Sequence, residues 1–119
     1  MKKLFAISIA LLATVTFARA QQGFQNMSVE ERAKTQTERI EKLLSLNADQ
    51  KTKVQAIDLD LAKQMDAKMR SNQGDREAMR SAIQEIDKVR DDKYKAVLTA
   101  DQFKKYLEDK EQRQRQRNN

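Results

Sequence analysis

From Ser28 to about Lys110, apolar side chains recur every three or four positions, the spacing of one face of an α-helix. The first stretch carries Val29, Ala33, Ile40, Leu43 and Leu44, a thin stripe with Gln36 and Thr37 in its middle. It opens on Ser28-Val29-Glu30-Glu31, a capping box in which hydroxyl and carboxylate each satisfy an orphan backbone N–H. The second stretch carries Val54, Ile57, Leu61, Met65 and Met69, with Leu59 off the stripe. It should end near Ser71-Asn72-Gln73-Gly74, where Gly74 can take the left-handed conformation. Asp75 is then a candidate cap for a third helix, striped by Met79, Ala82, Ile83, Ile86, Val89, Tyr94 and Val97. A last helix shows Phe103, Tyr106 and Leu107, then fades into Gln112–Asn119, which has no apolar residue and should fray. The pattern predicts an all-α chain of four helices, hairpin-like and elongated.

Two of the predicted turns share one signal. Leu46-Asn47-Ala48-Asp49-Gln50 and Leu98-Thr99-Ala100-Asp101-Gln102 agree at four of five positions, 52 residues apart. In each, Asn47 or Thr99 can cap the next helix and Gln50 or Gln102 can reach back to complete the box. The second copy adds a hydrophobic staple, Leu98 on Phe103; the first offers only the aliphatic stem of Lys51 at that place.

The N-terminus reads differently. Lys2 and Lys3 precede an uncharged run from Leu4 to Ala18, and Ala18-Arg19-Ala20 sets small residues where a signal peptidase reads. As a helix that run would span about 22 Å, short of the ~30 Å hydrocarbon core. Residues 1–20 are therefore expected to be a cleaved secretory signal, cut between Ala20 and Gln21, rather than an uncleaved anchor. With no Cys at the cut, a lipoprotein is excluded. The remaining divisions are a disordered segment at 21–27, a helical domain at 28–110 and a basic, disordered tail at 111–119.

Cleavage changes the charge picture. The 119 residues hold 24 Lys and Arg against 18 Asp and Glu. Lys2, Lys3 and Arg19 leave with the signal, so 21 basic residues face 18 acidic ones, a net of +3. Lys110–Asn119 alone accounts for that +3, with four basic residues and one acidic, and the body is neutral. The high isoelectric point thus reflects the two ends, and export argues against nucleic acid as a partner. The alternating Gln and Arg of the tail give no single helical face. They read as a solubilising end, or as a weak contact for anionic lipid or acidic proteins.

Composition also limits chemistry. The chain has no Cys, His, Trp or Pro and two Gly, so disulfides, thiol nucleophiles, the usual zinc ligands and a glycine-rich phosphate loop are absent. The carboxylates Glu30-Glu31, Asp58 with Asp60, and Asp91-Asp92 lie one or two apart, do not face each other on a helix, and read as solvated. Asp58-Leu59-Asp60 lacks the glycine of a calcium loop, which leaves weak carboxylate-only metal binding as an open alternative. Tyr94 and Tyr106 read as packing through their rings. No cofactor, no catalytic residue and no defined metal site is expected, and hence no enzyme. A chain this poor in large apolar residues would be marginal alone, so a homodimer pairing the long stripes in coiled-coil fashion is the expected remedy.

Twin boxes built on Leu46, Asn47, Gln50 and Leu98, Thr99, Gln102, in a small, exported, charge-rich helical chain, resemble the LTxxQ-motif family, the Spy/CpxP group of periplasmic proteins. Asn47 departs from the family's Thr, but both residues cap helices. The resemblance implies a four-helix, curved, cradle-like homodimer in the periplasm. It also implies an ATP-independent chaperone for unfolded or aggregation-prone envelope proteins. The alternative it implies is a regulator that binds and represses a membrane stress-sensor kinase in the envelope stress response. For a holdase, the candidate client surface lies around the turn after the second helix: Met65, Lys68, Met69, Arg70, Arg76, Met79 and Arg80. Unbranched, polarizable Met adapts to many shapes, and neighbouring cations draw in clients and hold them weakly.

Overall fold

The computed structural model describes residues 27–119. The expected signal sequence, its cut at Ala20–Gln21 and the segment to Asn26 lie outside the described residues. Four helices follow one another: α1 (Val29–Leu44), α2 (Ala48–Ser71), α3 (Arg76–Val97) and α4 (Ala100–Asn118), with no strand among the described residues.

Local chemistry sets nearly every boundary. Ser28, Asn47 and Thr99 each accept from the backbone N–H three residues on, and Glu31, Gln50 and Gln102 reach back to the cap N–H, so all three capping boxes close. Asp75 caps α3 by accepting from Ala78 N–H at 3.0 Å. α1 stops at Ser45, whose φ of 52° is left-handed, and Gly74, at φ 86°, turns the chain between α2 and α3.

α2 packs against both α1 and α3, while α4 lies across α1 and α3. The principal core sits at the end where the two repeated turns meet. Ile40, Leu44, Val54, Tyr94, Leu98 and Tyr106 are buried there, with Leu43, Leu46, Ile57, Val97 and Phe103 packed against them. Leu98 and Phe103 share this cluster, as the staple requires. The position equivalent to Phe103, Lys51, instead bonds Glu41 at 3.1 Å.

The two repeats also grip each other. Gln50 Nε2 donates to Gln102 Oε1 at 2.7 Å, and Gln102 Nε2 donates to Gln50 Oε1 at 3.2 Å. The same amides reach the far helix ends: Gln50 Nε2 to the Val97 carbonyl at 3.3 Å, Gln102 Nε2 to the Leu44 carbonyl at 3.2 Å. Each glutamine therefore caps its own helix and satisfies a carbonyl at the end of the helix before the other box.

Away from this clasp the molecule thins out. From Ala62 to Ser81 no residue is buried, so the α2–α3 hairpin tip projects without a core of its own. The radius of gyration is 20.4 Å, against about 13 Å for a compact chain of similar length, and the extents are 75 × 40 × 30 Å.

The C-terminus differs from expectation. Residues 111–118 continue α4 as exposed helix, where a disordered tail was expected. Arg113 bonds Asp109 at 2.9 Å and Arg115 bonds Glu111 at 2.5 Å, both one turn apart, and nothing in the segment breaks a helix. Arg39 of α1 also holds Asp109 at 3.1 Å, which ties the root of this extension to the body. An apolar face is not needed to carry a helix onward from an anchored turn.

Candidate functional site

Two features stand out once the helices are in place: a cleft over a buried carboxyl, and the bare hairpin tip.

The cleft begins at Asp58. Contrary to the expectation of a solvated face, Asp58 is 3% exposed and is bonded from both neighbouring helices. Thr37 Oγ1 of α1 lies 2.8 Å from Asp58 Oδ2 and 2.9 Å from the Ala33 carbonyl, and the Tyr94 hydroxyl of α3 donates to Oδ1. Asp60, two residues on, does face solvent, 3.5 Å from Lys93. The correction follows from register: Asp58 is four residues past Val54 and three before Leu61, on the buried stripe itself. Thr37 and Tyr94 occupy stripe positions too, so each of three helices sets one polar group at the same level. A polar residue standing on an apolar stripe was the signal available in the sequence.

Burial is the largest influence on Asp58 and raises its pKa, opposed by the bonds from Tyr94 and Thr37 and by the charges of Arg90 and Arg39. Proton accounting points the same way. A single Thr37 hydroxyl proton serves either Ala33 or an ionised Asp58. When Asp58 is neutral, its own O–H donates to Thr37, Thr37 donates to Ala33, Tyr94 donates to Asp58, and every contact is filled. Burial and then the Asp58 charge push the Tyr94 phenol far above its ordinary value, so it remains a donor.

The tyrosines therefore do more than pack their rings. The rings of Tyr94 and Tyr106 meet edge to face at 5.1 Å, and the Tyr106 hydroxyl donates to Asp91 at 2.8 Å. Lys110 joins Asp91 at 2.6 Å and Asp87 at 2.5 Å. Despite some desolvation, those two carboxylates raise the Lys110 pKa.

Above Asp58 opens a cleft of about 400 Å³. Ala33, Leu61, Ala62 and Met65 give it an apolar wall, and Arg32, Arg39 and Arg90 line it with guanidinium groups. Met27 stands at its edge.

The tip carries the other candidate residues. Arg76, Met79, Arg80 and Ile83 line a shallow concavity beside Gly74. Met69 is 43% exposed and Ile83 48% exposed. The structure divides the seven residues expected to form one client surface. Met65 faces the cleft, and Met79, Arg76 and Arg80 line the tip concavity. Lys68 pairs with Glu85 at 3.5 Å and Arg70 with Asp66 at 3.0 Å. Arg76 and Arg80 have no ion-pair partner among the described residues. Ile83, read from sequence as stripe, belongs to this surface instead.

Of the six cap residues, Gln50 and Gln102 meet at the clasp, Leu46 packs against the core cluster that contains Leu98, and Asn47 and Thr99 close their own boxes. Among the described residues, no three His, Cys, Asp or Glu groups stand close enough to hold a metal ion, and no helix is long and apolar enough to cross a membrane.

No curated protein and no solved structure matches the sequence. One family model does, over residues 18–106, from just before the expected cut to the last helix, and by that match the chain belongs to the family described as a domain of unknown function, DUF4890.

Proposed function

We propose that this protein is an ATP-independent chaperone that holds unfolded or aggregation-prone proteins of the periplasm on the α2–α3 tip. The observation that carries the reading is the tip itself: a stretch from Ala62 to Ser81 without a buried residue, with exposed Met69 and half-buried Met79 on it, exposed Ile83 just beyond it, and the cations Arg76 and Arg80, unpaired among the described residues, alongside. Exposed apolar groups rimmed by charge mark interaction surfaces, and methionine adapts to varied partners. Weak, exchangeable capture needs no nucleotide, and release follows when the client folds. The resemblance of the twin boxes to the LTxxQ-motif family supports the same reading, as does the signal-like N-terminus for export. Pairing of two copies would widen the surface into a cradle.

Aggregation of several unrelated clients, followed by light scattering at near-stoichiometric chaperone, tests this. Met79→Ser with Ile83→Ser should cut suppression several-fold while the helical circular dichroism is unchanged, and Arg76→Gln with Arg80→Gln should act mainly on acidic clients. Undiminished suppression by the apolar pair would remove the tip from the mechanism. Failure of the unaltered protein with every client, alongside binding to one sensor domain, would establish the regulator instead.

A further inference from the structure

The cleft over Asp58 shares no lining residue with the concavity around Arg76, Met79, Arg80 and Ile83 and asks for its own ligand. Its three arginines have donors to spare. Arg32 meets Asp66 only at 3.6 Å and Arg90 meets Asp87 only at 3.7 Å, both too long for hydrogen bonds, while Arg39 bonds Asp109 through one nitrogen. Arg32 Nε, Arg39 Nη2 and Arg90 Nε are buried side-chain nitrogens with no acceptor among the described residues. Buried donors are almost always satisfied, so three of them on arginines that line one cleft are exceptional. Asp58, the carboxyl at the base of the cleft, bonds Thr37 and Tyr94 and makes no hydrogen bond to any of the three arginines.

The rest of the cleft fixes what an acceptor would be attached to. Ala33, Leu61, Ala62 and Met65 form an apolar wall, and about 400 Å³ lies within the range of small-molecule sites. Guanidinium forks suit a planar carboxylate, and the apolar wall suits an alkyl chain. We propose that this cleft binds a carboxylate-headed amphiphile, a medium-chain fatty acid, with Arg32 and Arg90 gripping the head and the half-buried Ala62 and Met65 covering the chain. The site spans α1, α2 and α3, so occupancy would tie the three helices together.

Decanoate, below its micelle concentration, is the probe, and calorimetric titration of the purified protein the measurement. The expected result is saturable one-to-one binding of decanoate, with decanol and decylamine far weaker. Arg32→Gln and Arg90→Gln should each weaken decanoate about tenfold, the scale of one lost charge-assisted bond. Ala62→Phe, which fills the cleft and leaves every arginine in place, should abolish binding while circular dichroism stays native. Equal binding of decanol and decanoate, binding indifferent to Ala62→Phe, or no saturable binding would each overturn the proposal. The chaperone reading does not stand or fall with it, since none of these substitutions alters Met69, Arg76, Met79, Arg80 or Ile83.

Discussion

Asp58 is the side chain whose environment departs furthest from its sequence neighbourhood. With its pKa raised mainly by burial, the folded state holds the proton more tightly than the unfolded chain does. The stability it contributes is therefore complete at pH values below the ordinary carboxylate range and is lost as pH climbs through the raised value. Other carboxylates run the opposite way. Asp109, somewhat desolvated but bonded to Arg39 and Arg113, is held below its ordinary value and contributes stability that is lost on acidification. Asp58→Asn isolates the Asp58 share: the variant should gain on the unaltered protein as pH rises from acid to neutral, read as the difference between two urea midpoint curves. Tyr94→Phe removes a buried donor and should cost about 1–3 kcal/mol by the same assay. Most of this site was hidden from a linear reading, because Thr37, Asp58 and Tyr94 sit 21 and 36 residues apart and only the helix registers align them.

At the scale of elements, the caps were legible and their union was not. Ser28, Asn47, Asp75 and Thr99 act within one turn of chain, so residue type and spacing are enough to identify them. Repetition of the pentapeptide suggested two similar turns, yet nothing local says that Gln50 and Gln102 face each other. The stripe residues behaved likewise: Ile40, Val54 and Tyr94 are buried as their spacing implies, whereas Ile83 is exposed because no helix covers the tip. The clasp makes a sharp prediction. Gln50→Ala and Gln102→Ala should each cost about 1–3 kcal/mol, since each removes a box contact and leaves a carbonyl unserved. Each single change already destroys the mutual amide bonds, so the double variant should cost less than the sum, by about 0.5–3 kcal/mol. Chemical denaturation of the four proteins closes the cycle, and strict additivity would show the two boxes to be independent caps.

Across the whole molecule, stability is distributed from one end. Around the clasp, helices converge on Tyr94, Tyr106, Ile40 and Val54, while the tip from Ala62 to Ser81 and the extension beyond Lys110 have backbone hydrogen bonds but no buried side chains. Exposed ion pairs such as Arg70–Asp66 and Arg115–Glu111 add little, about 0–1 kcal/mol each, so they do not level this gradient. Local opening should then be cheapest at the two projections and approach global unfolding at the clasp. Amide exchange measured by mass spectrometry should find peptides from residues 40–58 and 90–106 slowest, residues 66–80 much faster, and residues 111–118 fastest. A tip that opens easily can also reshape around a client, and its exchange should slow when a reduced, unfolded protein is added while the clasp is unaffected. If the client protects the clasp and leaves residues 66–83 unchanged, capture occurs elsewhere on the molecule. If the tip instead exchanges as slowly as the clasp in the free protein, an unseen partner surface, most simply a second copy, already covers it. Repeating the exchange across protein concentrations separates that case, because cover supplied by a second copy is lost on dilution.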